Sequence, residues 1–312
     1  MHHLRLVGSY ARWLLLVSAA LTGFVIGVVT LVVGTWRTEH LCLFAASCVV
    51  IMSGITLAYH RYLTHRAYEF TKLGACIVKP ILMLAGCLSW QGPPLWWAAV
   101  HTDHHRHADQ KEDPHTPQTQ SAGFWRRLGQ LLWAHVFWIP HAQPSIRQFC
   151  AWRRPGMVER LFSHPAVYLL AGPLGGLLIA YLIGGPLGIA WYLAAVFVTL
   201  NLTWSVNSLT HLIGYRSFQT PDASTNLWAL AWLTGGESLH NNHHAFKKSA
   251  RFGHRWWERA ADLGWWQIWC LWHLGLVCNV HVPTAEQLGN RLRRGKHARS
   301  PRPAMQETVG HA

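Results

Sequence analysis

The chain has 312 residues, room for one large domain or two ordinary ones. Hydrophobic residues make up 51% and charged residues 13%, about half the charged share of soluble proteins, which argues against disorder, a coiled coil or an ordinary cytosolic enzyme. The 27 Lys+Arg against 13 Asp+Glu leave a net +14, which on a soluble protein would suggest nucleic acid, but no nucleic-acid-binding motif accompanies it.

Residues 1–12 form a short N-terminal segment with Arg5 and Arg12. Trp13–Val33 then carries no charge over a length that can cross the hydrocarbon, and it is too long for a typical cleaved signal peptide. A connector holding Arg37 and Glu39 leads to a second such run, Leu41–Tyr59. Leu73–Val100 is apolar apart from Lys79 but is interrupted by Pro80 and Pro93-Pro94. Because proline breaks helices, this segment (73–100) is expected to be membrane-embedded or interfacial and to return to the side it left. No charge appears from Pro165 to Val206, and Gly184-Gly185-Pro186 divides that run into spans at about 165–183 and 186–206. The seven cysteines lie mostly in apolar stretches with no Cys-x-x-Cys, so neither a disulfide framework nor a thiolate metal site is indicated.

Four spans, at about 13–33, 41–59, 165–183 and 186–206, leave Arg37 alone on one side and the other 26 of the 27 basic residues on the opposite side, which should be the cytoplasm. The excess charge is then a matter of topology, and nucleic acid is not an expected partner. The fold expected is an all-α integral membrane protein: four transmembrane helices carrying a cytoplasmic helical cap, with both termini cytoplasmic. Trp96, Trp97, Trp256, Trp257, Trp265 and Trp266 suit the headgroup layer, where an indole is half apolar and half polar. The tail 289–312, rich in Arg and Pro, is expected to be disordered.

Three histidine clusters fall on the cytoplasmic side: His60 with His65, then His101, His104 and His105, then His240, His243 and His244. Helix positions i, i+3 and i+4 share a face, so the second and third clusters can each aim three imidazoles at one point. His60 and His65 are spaced i, i+5 and lie further apart around a helix, but they can reach a shared centre at its end. A lone histidine at a membrane edge is usually an interfacial polar residue. Eight in three tight groups on one face point to metal instead, because imidazole suits Fe, Zn, Cu and Ni and eight ligands exceed what one ion accepts.

These residues carry a family likeness. Gly54-Ile-Thr-Leu-Ala-Tyr-His60-Arg-Tyr-Leu-Thr-His65-Arg, Trp97-Ala-Ala-Val-His101 through Asp113-Pro-His115, Asn207-Ser-Leu-Thr-His211, Asp222-Ala-Ser-Thr-Asn226 and Gly236-Glu-Ser-Leu-His240-Asn-Asn-His243-His244-Ala-Phe together resemble the membrane fatty acid desaturase superfamily, specifically its bacterial acyl-CoA (stearoyl-CoA) Δ9 desaturase-like branch. The likeness covers roughly residues 10–283, which implies one desaturase domain over 13–288. It departs at His101-Thr102, where the family commonly has His-Arg, and at Gly123-Phe-Trp-Arg-Arg, where a histidine-containing segment often stands.

The resemblance implies a di-iron enzyme of the bacterial inner (cell) membrane that uses O2 to insert a cis double bond, at Δ9, into a saturated acyl chain carried on CoA or lipid. It adds His211 as a ninth ligand and Asn207 as the holder of a metal-bound water. One iron would take His60, His65, His101, His105 and His244, the other His104, His211, His240 and His243. His107 and His115 are left as surface or supporting residues. Carboxylates accepting the second ring N–H would orient the imidazoles; Asp103, Asp109, Asp113 and Glu237 are candidates, with Asp113 and Glu237 preferred. With no electron-carrier domain recognised in the sequence, electrons would come from a separate ferredoxin- or rubredoxin-like donor and its reductase. Two rivals stand beside this reading. A di-iron membrane hydroxylase of the alkane or carotenoid type would use the same ligands, and a histidine-rich metal transporter would place ligands along a path through the bilayer.

Overall fold

The computed structural model describes residues 2–117 and 123–297, and the side chains of 9–292 within them. Nearly all regular structure is helical. Helix α1 (His2–Val32) turns at Gly34 into α2 (Thr38–Ser53), which continues without a break as a π-helix over Gly54–Thr64. A two-residue strand β1 (Glu69–Phe70) leads into α3 (Lys72–Cys87) and α4 (Pro94–His107). Short helices α5 (Phe124–Leu132), α6 (Ile146–Arg153), α7 (Met157–Ser163) and α8 (Pro165–Leu169) precede the long α9 (Gly175–Ser208). The C-terminal part holds α10 (Trp228–Ala231), α11 (His240–Ala245), α12 (Trp256–Ala261), α13 (Leu263–His273), strand β2 (Val277–Cys278) and α14 (Ala285–His297). Strands β1 and β2 pair antiparallel, Glu69 facing Cys278 and Phe70 facing Val277.

Three helical stretches among the described residues are long and apolar enough to cross a membrane: Ser9–Val32, Thr38–Thr64 and Pro165–His211. The third, at 47 residues, is more than twice the roughly 20 that one crossing needs. It doubles back. Gly185 takes φ 61° and ψ −151°, a conformation open almost only to glycine, and Pro186 starts the second arm. A Cβ on Gly188 would strike the carbonyl of Ala180, and one on Gly176 the phenol of Tyr192. Residues 176 and 192 would be about 24 Å apart along one straight helix, so their contact requires two antiparallel arms. His40, in the first turn of α2, meets the Gly184 carbonyl at 3.2 Å, which places the α1–α2 turn beside the α9 turn. That end carries Arg37 paired with Glu39 at 2.9 Å.

The segment 73–100 becomes a helical hairpin. Helix α3 runs along α2 and its π-helical extension so closely that a Cβ on Gly54 would collide with the backbone of Gly86. The chain then turns through residues 88–93, and α4 brings it back to the level of His60. Ile55, Ala58, Tyr59 and Leu63 of the π-helix, Met83 of α3 and Leu95, Ala98 and Ala99 of α4 form one buried cluster with Phe149 of α6. Outward from this core, Leu15, Val32, Leu170 and Leu182 are among many large apolar side chains left exposed, far more than a soluble surface tolerates.

Two expectations change here. Trp97 and Trp265 turn inward rather than outward: Trp97 stacks on His101 with ring centroids 5.1 Å apart, and Trp265 is buried. The segment expected to be disordered from 289 is helical as far as His297, as part of α14, while 298–312 lie outside the described residues.

The Gly54–Gly86 approach yields a prediction. Gly54→Val forces one backbone away from the other and should cost about 1–3 kcal/mol, the usual range for overpacking. Thermal unfolding in detergent should show a clear fall in midpoint, whereas Gly129→Ala, with open space around it and an ordinary helical backbone in α5, should not lower it.

Candidate metal centre

The π-helix solves the spacing of the first histidine pair. In an α-helix, positions i and i+5 lie about 140° apart around the axis. The wider π-helix closes i→i+5 hydrogen bonds, and His65 N donates to His60 O at 3.1 Å, stacking one residue over the other. The two imidazole centroids are 4.7 Å apart.

Helices α4 and α11 supply the rest of the boxes, and each splits its histidines between two groups. His60, His65, His101, His105 and His243 form the first; His104, His211, His240 and His244 form the second. Within each group the ligand atoms lie no more than 4.8 Å apart, close to the roughly 4 Å that separates opposite ligands of one ion. Helix α4 gives its i, i+4 pair to the first group and His104 to the second. Helix α11 does the reverse. His243 and His244 are therefore exchanged relative to the ligand sets that the family likeness implied. The physical reason is that i and i+4 differ by about 40° around a helix and i and i+3 by about 60° in the other direction, so the closer pair stays together.

Four carboxylates hold four of these rings through Nδ1. Asp113 lies 3.0 Å from His104, Asp109 3.1 Å from His211 and Asp222 2.9 Å from His244; Glu237 is in close contact with His60. Burial alone would raise these acids, but the imidazole beside each, joined by Arg61 at Glu237 and by further hydrogen-bond donors at the three aspartates, holds all four below the usual carboxylate range. Asp103 is not among them: it is partly exposed and pairs with Arg106 at 3.3 Å. Asp222 was not foreseen. A signal existed, since Asp222 and Glu237 are the only acids between Arg216 and Lys247, and both end on an imidazole. His115 is buried and stacks on His104 at 4.3 Å, while Asn207 lines a small cleft with His60, His101 and His240.

The donor set fits cations. A ring whose Nδ1–H goes to a carboxylate presents a bare lone pair at Nε2. His104 Nε2 and His244 Nε2, both fixed in that way, face each other at 3.4 Å. His60 Nε2 lies 3.1 Å from His243 Nε2, and His211 Nε2 lies 3.1 Å from His240 Nε2. Burial, and after it the neighbouring imidazoles, hold His65, His101, His105, His240 and His243 well below the ordinary histidine range. Burial brings His244 down to about 4 against the pull of Asp222. These six rings are thus neutral near pH 7, and lone pairs converging in a buried space are what a metal ion satisfies.

The whole arrangement has known relatives. Residues 35–265 match the fatty acid desaturase family. The chain is 37% identical over 235 residues to the sn-1 stearoyl-lipid 9-desaturase of Anabaena variabilis, covering 75% of this chain and 80% of that one. It is 35% identical over 260 residues to an acyl-CoA C20 Delta5-desaturase of Anemone leveillei, with 80% and 76% covered. It is also 33% identical over 277 residues to a hex-5-enoyl-[acyl-carrier protein] acetylenase of Moorena producens (strain JHB), covering 84% of each. This chain belongs to the fatty acid desaturase family.

As a desaturase it is an oxidoreductase acting on acyl chains, and the fold offers a place for one. A largely apolar cavity of about 400 Å³ begins at Ser9, Arg12 and Trp13 of α1 and ends against His101, His115 and Asn207. Its volume is in the usual range for a ligand pocket. Trp97, His101, Thr203 and Asn207 belong both to this cavity and to the cleft that reaches His60 and His240. The side chains between them are locked: Trp97 Nε1 donates to Gln91 Oε1 at 3.2 Å and Gln91 Nε2 donates to Thr203 Oγ1 at 3.1 Å.

The unforeseen carboxylate gives the test of this geometry. Asp222→Ala should lower metal retention about 10–100-fold, the usual cost of losing a hydrogen-bonded partner of a ligand. Asp103→Ala should leave metal content unchanged. Dialysis against a graded chelator followed by metal analysis separates the two.

Proposed function

We propose that the desaturase holds two irons, one in each histidine group, and uses O2 to insert a cis double bond, at Δ9, into a saturated acyl chain carried on CoA or lipid. The observation that carries this reading is the gathering of five and four imidazoles beside a largely apolar cavity of ligand size, which His101 lines. Iron with O2 supplies the oxidant that an unactivated methylene demands, since its C–H is not acidic. The acyl chain loses two hydrogens, two further electrons come from a separate ferredoxin- or rubredoxin-like donor served by its reductase, and O2 leaves as two waters.

The chain's own residues bind and orient. Trp13, Trp97, Trp138 and Leu200 would flank the acyl chain and exclude water, while the Gln91–Thr203–Trp97 network would fix its path past His101. Asn207 would hold a water beside the second group. His60, His104, His211 and His244 would be kept in one tautomer by Glu237, Asp113, Asp109 and Asp222. Support for Δ9 comes from relatives named as stearoyl-lipid 9-desaturases in Anabaena variabilis and Synechocystis.

The topology proposed with it has four crossings: α1, α2 with its π-helix, and the two arms that meet at Gly185. The histidines and both termini then face the cytoplasm of a bacterial inner membrane, because 26 of the 27 basic residues lie on that side. The α3–α4 hairpin would enter the membrane and return.

Three measurements test this. Protein purified aerobically with iron supplied should contain two irons per chain; one equivalent, or full activity with zinc, sinks the di-iron assignment. Expression in a host lacking desaturases should add a monounsaturated species to its fatty-acid methyl esters. His104→Ala should abolish that product while His273→Ala retains it; an alcohol in place of the alkene would favour a hydroxylase. Reporters fused after Arg37 should read periplasmic and those after Gly123 and Gly289 cytoplasmic, and a periplasmic Gly123 would make 73–100 a true crossing.

A further inference from the structure

A second opening reaches the histidines by a different route. It is a groove of about 790 Å³ between the chain just after α11 and the start of α14, and it shares no lining residue with the acyl cavity. The chain at His244, a member of the second histidine group, borders it, with the ring itself buried behind the groove wall. Lys247, Lys248 and Arg291 stand exposed around it, and no carboxylate is among the described lining residues. Lys247 Nζ also donates to the carbonyl of His105, a member of the first group, at 2.9 Å. The groove therefore borders the second group at His244, and its rim reaches the backbone of the first at His105.

The reaction needs something that this groove can receive. Reducing O2 to two waters takes four electrons and four protons. The two hydrogens that leave the acyl chain account for two of each, so two electrons and two protons come from outside. Every metal-type cluster among the described residues is built of His and Asp, with no thiolate cluster to relay electrons. Resting on the desaturase reading, we propose that this basic groove is the docking surface for a small acidic electron-carrier protein, which is oxidised there in two one-electron visits and delivers through His244.

Charge complementarity selects this occupant. Small, weak, electrostatically steered interfaces are the norm for redox partners, and a positive rim attracts and orients a negative carrier. The phosphates of an acyl carrier are the alternative ligand. They fit poorly, because the acyl cavity has a cation of its own in Arg12 and shares no lining residue with the groove. Separate access also lets the carrier dock while substrate is bound.

The test uses the full chain in nanodiscs of neutral phosphatidylcholine, with an acidic plant-type [2Fe–2S] ferredoxin as the probe. Unaltered protein should bind it saturably at low salt and lose it as salt rises. The double variant Lys248→Glu/Arg291→Glu should weaken binding about tenfold or more, in line with reversal of a docking charge. Arg126→Glu/Arg127→Glu, on α5, should stay within about twofold, so that diffuse positive charge is told apart from a docking rim. The proposal is overturned by absent binding to unaltered protein, by equal weakening in both variants, or by a groove variant that alters acyl-substrate KM while binding ferredoxin normally. Methyl ester analysis of the unaltered protein supplied with ferredoxin and its reductase judges the desaturase reading separately. A double bond formed while ferredoxin binding ignores the groove variant sinks only the docking surface.

Discussion

Arg61 is the fixed point about which the histidine centre is built. Its guanidinium is completely buried, yet its Nη1 and Nη2 donate to the carbonyls of Ala250 at 2.7 Å and Gly235 at 3.1 Å. It also pairs with Asp262 at 2.8 Å and with Glu237 at 3.1 Å, while its carbon lies 4.0 Å from the centre of the Phe252 ring. A buried charge with one partner removed typically costs 3–5 kcal/mol, so a fully satisfied one allows a single arrangement of its surroundings. Here the surroundings are the π-helix, the 235–237 turn and the start of α13, where Asp262 also caps the helix through Trp265 N at 3.1 Å. Glu237 has one oxygen on Arg61 and the other on His60. The orientation of the first imidazole is thus set by a cation one residue along the same π-helix.

With that frame in place, the centre obeys one electrostatic rule. Nine imidazoles are brought together away from water, and burial favours the neutral form of six of them: His65, His101, His105, His240, His243 and His244. Rings tied to carboxylates by Nδ1 must turn Nε2 inward. The carboxylates thereby decide both the tautomer and the direction of four rings. They are also negative charges in a poorly solvated place, and a cation between the rings offsets them as well as the lone pairs. Ligand set and supporting acids are therefore one construction, and a single kind of occupant, a cation, fits both.

Much of this was legible in the residues, and the failures have specific causes. The apolar runs and their basic flanks predicted the long helices, and Gly184-Gly185-Pro186 predicted the reversal that Gly185 makes. Pro93-Pro94 predicted the break before α4, whereas Pro80 lies inside α3 without ending it. Spacing also brought out all three histidine boxes. It did not show how α11 would divide its ring set, because i, i+3 and i+4 share a face only loosely and the division depends on where α4 lies across from it. The π-helix was equally invisible, since its sequence reads as an ordinary apolar helix. Asp222 sits 22 residues from the ring it holds, and such a distance leaves no local pattern. Trp97 looked interfacial because its indole is amphipathic, but the same property suits a wall that is apolar toward the cavity and bonded to Gln91 behind it.

The position of the centre at the ends of the long helices resolves two opposed demands. An acyl chain needs an apolar passage, and the helices provide it. Asp109, Asp113, Asp222 and Glu237 need hydrogen-bond donors that hydrocarbon lacks, and an ionised side chain at the bilayer centre is costly. All four acids stand on turns between helices, where backbone amides such as those of Ala223, at 2.6 Å from Asp109, can serve them. The long helices contribute only what tolerates their surroundings: His60 near the end of the π-helix, Asn207 in the last turn of α9, and His211 just beyond it. Moving the centre deeper would strip the carboxylates of partners. Moving it outward would take it from the cavity and let water reach the methylenes. The level at which the π-helix and α9 end is where both conditions hold.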